Sequence, residues 1–364
     1  MGKRPFLKNL SLFSIAILVI SMLFIGSVNA DSFQGQQQDE TPQITPTPET
    51  ATIQAEILEK PLNKNTTLIY ALADTDFYAD DNTVQGALGS TTYGVRIPGT
   101  WTMNVGSSVT IDFSHPTNLA NYSTMAVDFN GIRIGSIVLT PENADHGSLT
   151  VNIPKNIFRE NYNDLTLRFY MGISDNYCDD LENPGVWATI HNSTSFTFAY
   201  SQSAPSTDLS VFPYPLLLES DLIVNQITII VPDKPNEAEL NAVATISAKL
   251  GQLNSFYEMN IDVISESMTI DAANMAGNTV YIGLAENLKI LSSENFPFVE
   301  KNVDDFEFNY LGGLPLDQDD GVVWEDVSPI DNRYIRLIVT GKTEDALKKA
   351  ARGLANDSVI IHGF

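Results

Sequence analysis

Between Thr66 and Ser201 apolar and polar residues alternate in short runs: "STTYGVRIPG", "SSVTIDFS", "STMAVDFNGIRIGSIVL", "GSLTVNIP", "LTLRFYM" and "TSFTFAYS". A period of two, carried by Val, Ile, Thr, Phe and Tyr, marks strands with one buried face. Pro98-Gly99, Asn130-Gly131, His146-Gly147 and Asn183-Pro184-Gly185 punctuate the runs. "DFNGIRIG" reads as a hairpin, because Asn-Gly supplies the positive φ angles of a tight turn. Strands and turns in this succession predict an all-β domain over 66–203, an antiparallel β-sandwich or jelly roll.

The pattern then changes. Residues 204–224, with "SAPSTDLSVFPYPLLLESDL", have no clear period and read as a packed connector. "QITIIVP" is a continuous apolar run of the kind buried on both faces. In "NEAELNAVATISAKLGQL" Leu240, Val243, Ala244, Ile246, Ala248, Leu250 and Leu253 fall near one helical face. The strands "NIDVIS", "NTVYIGLA" and "RYIRLIVTG" follow, and "TEDALKKAARGLA" reads as a last helix capped by Thr343. Strands alternating with helices predict a flavodoxin-like α/β domain over 225–364, so the fold class is mixed all-β plus α/β.

The N-terminal end changes the compartment. Lys3, Arg4 and Lys8 precede the apolar run Leu10–Ile25, and "GSVNA" follows with Val28 and Ala30 at the small-residue spacing of a cleavage site. Residues 1–30 read as a signal peptide, with an N-terminal anchor as the alternative, and the body is expected outside the cytoplasm. Residues 31–65 begin as a Gln-, Thr- and Pro-rich stretch that buries little, a low-complexity linker. The chain holds 45 acidic and 20 basic residues, a net charge of −25, and three of the basic ones belong to the leader. Such a surface repels phosphates, so nucleic acid is excluded as a partner. Cys178 is the only cysteine and makes no intrachain disulfide.

Motifs for catalysis and cofactors are missing. "VTGKT" sits where a phosphate loop would, yet G-x-x-x-x-G-K-[ST] requires glycine where Arg336 stands. No G-x-G-x-x-G follows "QITIIV", and no G-x-S-x-G or H-E-x-x-H occurs among 364 residues with four histidines. No catalytic residue, cofactor or metal is therefore assigned, although two carboxylates facing a cleft are all that a glycosidase needs. The stretch "NYCDDLENPGVWATIHNSTS" concentrates the remaining chemistry. Asp179, Asp180 and Glu182 offer oxygen ligands to Ca²⁺ without the EF-hand spacing. Cys178 beside two aspartates lacks the electropositive setting of a nucleophile. Trp187 and Tyr177 suit stacking on sugar rings, but the alternation of "VWATI" reads Trp187 as a buried strand residue. Tyr177, Asp179 and Trp187 stand as the glycan-contact candidates.

Several ordered motifs resemble one family. "VRIPGTW" (95–101), "GSSVTIDFSHPTNLANYSTMAVDFNGIRIGSIVL" (106–139), "VNIPKNIFRENYNDLTLRFYM" (151–171), "YCDDLENPGVWATIHNSTSFTF" (177–198) and "VFPYPLL" (211–217) follow one another as in the regulatory B subunit of bacterial cellulose synthase, BcsB. The C-D…W-x-x-I…S part falls on Cys178, Asp179, Trp187, Ile190 and Ser193 or Ser195. The resemblance implies a carbohydrate-binding-like jelly roll followed by a flavodoxin-like domain. It also implies a non-catalytic, membrane-associated role. The expected partners are the membrane cellulose synthase catalytic subunit and the nascent β-1,4-glucan. Family members repeat the domain pair and end in a transmembrane helix, so a chain ending after one pair is expected to be a fragment or a shortened relative. The family is often labelled cyclic-di-GMP-binding, against which the acidic charge and the missing phosphate cradle weigh here. A free-standing glycan-binding module and a secreted glycoside-active enzyme are the rival readings.

Overall fold

A computed structural model describes residues 64–74, 78–175, 177–254, 256–269, 277–301, 306–309 and 315–356. The leader and nearly all of the linker expected from the sequence lie outside these residues. Among the described residues no helix is long and apolar enough to cross a membrane.

The alternating runs form eleven strands: β1 (Thr66–Ala71), β2 (Asn82–Gln85), β3 (Leu88–Ile97), β4 (Trp101–Met103), β5 (Ser108–Ser114), β6 (Thr124–Phe129), β7 (Ile132–Val138), β8 (Gly147–Asn152), β9 (Asn161–Tyr170), β10 (Trp187–Ile190) and β11 (Ser195–Gln202). They make two antiparallel sheets. One runs β1-β11-β5-β10-β2, with β4 on β11 and β8 on β5; the other runs β3-β9-β6-β7. The inward residues of both sheets build the core, among them Ile111 and Phe113 of β5, Phe196 and Phe198 of β11, Val95 of β3, and Leu165 and Leu167 of β9. The Asn130-Gly131 hairpin has φ of 52° and 79°, the left-handed pair its sequence demands.

Alternation predicts strands but not their phase. Val186, Ala188 and Ile190 point into the core, so Trp187 lies half-buried on the outer face of β10, opposite Gln85 of β2. The expectation of a core Trp187 is thereby corrected, because a shift of one residue exchanges the faces of a strand.

Beyond the connector come β12 (Asn225–Val231), α1 (Glu237–Leu253), β13 (Met259–Ser265), β14 (Asn278–Leu284), α2 (Lys289–Ser293), the hairpin strands β15 (Val299–Lys301) and β16 (Phe306–Phe308), β17 (Gly321–Val327), β18 (Ile335–Gly341) and α3 (Glu344–Ala355). The sheet order is β13-β12-β14-β18-β17, parallel except for the antiparallel edge strand β17. The α1 and α3 helices cover one face through Ile246, Leu250, Leu347 and Leu354. On the other face α2 and the β15–β16 hairpin pack Leu291, Phe298 and Phe308 against Ile230 and Ile338. Thr343 caps α3 as expected, accepting from the Ala346 N–H.

The buried face of α1 agrees with the predicted one only at Val243, Ile246 and Leu250. Ala238, Glu239, Ala242, Val243, Ile246, Lys249 and Leu250 turn inward, whereas Leu240, Ala244, Ala248 and Leu253 are exposed. Arg336, the residue that breaks the phosphate-loop pattern, is buried and ion-paired to Asp326 and Glu294.

Two consequences can be measured. Trp187→Ala should cost only about 1 kcal/mol in chemical unfolding, against about 3–5 for a core indole. The second concerns Glu325 on β17, buried with Oε1 lacking a hydrogen-bond partner among the described residues. Burial, reinforced by Asp208 and Asp326, pushes its carboxyl up to about 8. An unfolded glutamate titrates near ~4.3, so the folded chain keeps a proton that the unfolded chain releases. This contribution to stability is complete below about pH 4.3 and is lost as pH rises towards 8, by on the order of a few kcal/mol. Glu325→Gln should flatten the slope of Tm against pH over that window.

Candidate functional site

Where β3 ends, the chain turns through Pro98-Gly99 into β4, and the connector crosses the same end of the sandwich. Together with the C-terminal end of α1 these segments enclose a cleft of about 1010 Å³. Its aromatic lining comes from three places: Trp101 on β4, Tyr214 in the connector, and Phe256 and Tyr257 after α1. Trp101 is held flat against Tyr200, ring centroids 3.5 Å apart at 7°. Phe256 is 83% exposed.

Arg96 organises the mouth. Its Nη1 donates to Glu219 Oε2 of the connector at 3.1 Å. Its guanidinium lies 5.9 Å from the ring centroid of Tyr162 on β9 and 5.9 Å from that of Tyr257. Its carbonyl accepts from Ser220 Oγ. Gly94 makes this possible, because a Cβ there would fall 2.8 Å from the Tyr162 ring. Burial raises the Tyr214 and Tyr257 phenols, with Arg96 opposing the effect at Tyr257. Both therefore stay neutral hydroxyls at physiological pH.

Aromatic faces beside a few fixed polar groups suit a neutral, hydroxyl-rich ligand with apolar ring faces. Glu160 and Glu219 also line the cleft, but both are exposed. They lack the apolar pocket that makes a carboxyl a general acid.

A parallel sheet offers a second place for a ligand, the crevice at its carboxyl ends where the strand order reverses. Here that crevice lies between β12 and β14, and Glu239 fills it. The Glu239 side chain accepts from the Asn236 N–H at 2.7 Å, the Leu284 N–H at 2.8 Å and Asn287 Nδ2 at 2.9 Å. Glu266 likewise accepts from the Lys289 and Ile290 N–H groups that open α2. The Asn236, Leu284, Lys289 and Ile290 N–H groups at this end of the sheet are thus bound to carboxylates and not open to a phosphate.

The residues singled out from sequence lie elsewhere. Asp179 and Cys178 are exposed in the short turn Tyr177–Asp180, and Trp187 sits on the outer face of the seven-stranded sheet. The side chain of Tyr177 lies outside the described residues. Asp180 is buried, accepting from the N–H groups of Ile173 and Ser174, from Ser174 Oγ and from Asn183 Nδ2. These bonds hold its carboxyl below the ordinary range. Among the described residues no group of three or more His, Cys, Asp or Glu could hold a metal ion. Sequence reasoning passed over Arg96, Trp101 and Tyr214 as site residues, yet all three stand in the motifs "VRIPGTW" and "VFPYPLL". Those two motifs meet at the cleft.

Residues 71–202 match the family model described as "Cellulose synthase BcsB, first CBM domain", and residues 208–363 match "Cellulose synthase BcsB, first FD domain". Curated relatives include Cellulose synthase 2 of Novacetimonas hansenii, 29% identical over 67% of this chain and 13% of that protein. YdaN of Bacillus subtilis is 27% identical over 34% of this chain and 18% of its own. A Cyclic di-GMP-binding protein of Xanthomonas axonopodis pv. citri is 22% identical over 66% of this chain and 28% of that protein. The chain thus spans well under a third of the length of each.

The filled crevice carries its own prediction. Glu239→Ala strips three donors of their acceptor and should cost about 2–4 kcal/mol in urea unfolding. Glu239→Gln, which keeps the acceptor oxygen, should cost less.

Proposed function

We propose, from the premise that the chain belongs to the cellulose synthase BcsB family, that it is a non-catalytic extracytoplasmic subunit of a membrane β-1,4-glucan synthase. In this role it supports the glycosyltransferase and guides the emerging polysaccharide. The supporting observation is the aromatic cleft at which the two motif segments converge. A growing glucan is neutral and is not repelled by a surface of net charge −25. We assign 66–203 to a carbohydrate-binding-like sandwich, 204–224 to a connector and 225–364 to a flavodoxin-like domain. The leader 1–30 directs export, and Tyr177, Asp179 and Trp187, which are not lining residues of the cleft, form a secondary glycan contact.

A cyclic dinucleotide has no place in the α/β crevice on this reading, because the Glu239 and Glu266 carboxylates hold the donors its phosphates would need. Regulation by such a ligand then belongs to another subunit of the assembly.

Co-purification from native membranes in mild detergent, followed by UDP-glucose incorporation, tests the proposal. Recovery of a multi-spanning glycosyltransferase whose activity falls when this chain is removed is the expected result. Recovery of the chain alone, with polymer synthesis intact, would leave a free-standing glycan-binding module. Tyr257→Ala, which removes one wall of the cleft and one face of the Arg96 stack, should weaken cellohexaose binding about tenfold in calorimetry.

A further inference from the structure

The outer faces of the two sheets differ in how their polar groups are satisfied. On the seven-stranded sheet the hydroxyls pair among themselves. Thr83 bonds Thr189 at 2.8 Å and Thr110 bonds Thr150 at 2.9 Å, while Asp112 accepts from Ser148 and Ser193. These hydroxyls have little left to offer a ligand, which leaves the half-buried Trp187 as the contact that this face can make.

On the four-stranded sheet Thr92 and Thr166 pair in the same way at 3.0 Å, but the groups around Asp128, in register with Thr166, are not closed. Asp128 on β6 is 5% exposed although it points to the outer face. Arg133 of β7 and Arg168 of β9 each donate Nε–H to it, Arg168 at 2.8 Å. Arg133 first, and then Arg168, hold the carboxyl below its ordinary range against the cost of burial. The two guanidinium side chains remain 53% and 60% exposed. Among the described residues no protein acceptor takes their Nη hydrogens. One carboxylate thus fixes two planar donor groups side by side with most of their donors unused.

An apolar row borders these donors. Leu88, Tyr170, Thr124 and Val138 stand in register across the sheet, and Leu88, Tyr170 and Val138 are 64%, 40% and 46% exposed, with the Thr124 methyl and hydroxyl between the last two. Tyr122 leans on Tyr170 with ring centroids 5.6 Å apart. The next row holds Ser90, Arg168 and Ser136, with Ala126 as a small floor residue between the last two. The rows are two residues apart along the strands, about 7 Å. An exposed apolar row beside a row of preorganised donors matches a pyranose, which has an apolar C–H face and a rim of hydroxyls. The same strand, β9, carries Tyr162 at the cleft mouth, so the strip runs from the cleft along the outward residues of β9.

We propose that the outer face of the four-stranded sheet, centred on Arg133–Asp128–Arg168 and Tyr170, is a binding strip for a neutral glycan chain that extends the cleft. Sugar hydroxyls accept from the arginine Nη groups and a ring face rests on Tyr170. The inference rests on the reading that a glucan is the ligand of this chain.

The test is calorimetric titration of the full chain with cellohexaose, with inorganic phosphate as the competing probe. Arg168→Gln and Tyr170→Ala should each weaken binding about tenfold, with Tm within a few degrees of the parent. Tyr170→Ala leaves both ion pairs in place and reads the strip even if Arg168→Gln disturbs folding. Unchanged affinity in Tyr170→Ala, with Tyr257→Ala impaired, overturns the strip and leaves the cleft reading intact. Loss in the strip variants with Tyr257→Ala unaffected supports the strip and sinks the cleft as the primary site. Displacement of cellohexaose by millimolar phosphate would make the arginines an anion site and overturn the inference. Absence of cellohexaose binding by the parent overturns the strip; the membrane co-purification then decides the synthase reading separately.

Discussion

The candidate site depends on one cation. Arg96 stands at the end of a sandwich strand, and its guanidinium is shared by a connector carboxylate and two tyrosine rings, Tyr162 of β9 and Tyr257 after α1. Its side chain is 36% exposed and that of Glu219 is 66% exposed, so the ion pair by itself contributes little. The geometry matters more than the energy. A planar guanidinium can stack and pair at the same time, which a lysine ammonium cannot. Through it Tyr162 of the sandwich and Tyr257 after α1 both lie against one guanidinium. The bare backbone of Gly94 is the other half of the arrangement, because Tyr162 lies across the space a side chain would need.

Much of the architecture was legible because hydrophobic period and turn chemistry agree. Asn130-Gly131 adopts the left-handed pair expected of it, Thr343 caps α3, and Arg336 stands where a phosphate loop needs glycine. Phase was not legible. A strand such as "VWATI" has two faces, and nothing local says which meets the core; Trp187 lost that place to Val186 and Ala188. Helix α1 shows the same ambiguity on a different period. Leu240, Ala244 and Ala248 make an apolar stripe as plausible as the buried one. The buried face is the one that also brings Glu239 to the end of β14, where its carboxylate closes three hydrogen bonds. An acidic residue inside an apolar face reads from sequence as a reason to turn that face outward, and here it is an anchor.

The cleft was hidden for a related reason. Its residues come from β3, β4, the connector and the segment after α1, so no window of sequence contains it. The stretch around Cys178 gathers eye-catching residue types in one window, but its ordering principle is Asp180. That carboxylate, satisfied by four donors from Ile173, Ser174 and Asn183, folds the turn on which Asp179 is left exposed. Local density of chemistry-bearing residues is a poor guide when backbone donors consume them.

The same accounting of donors separates the surfaces of this molecule into closed and open ones. On the α/β sheet Glu239 fills the crevice between β12 and β14, and Glu266 takes the N–H groups that open α2. On the seven-stranded sheet threonines and serines close upon one another and upon Asp112. Around Asp128 the count runs the other way: one buried carboxylate spends both oxygens to fix two arginines, which keep most of their hydrogens. Donors held rigid in advance do not lose conformational freedom when a ligand arrives, which is where much of the cost of binding usually lies. In a protein of net charge −25 these unspent cationic donors stand beside exposed Leu88 and Tyr170, and it is this pairing of fixed donors with apolar surface on which the proposed glycan strip rests.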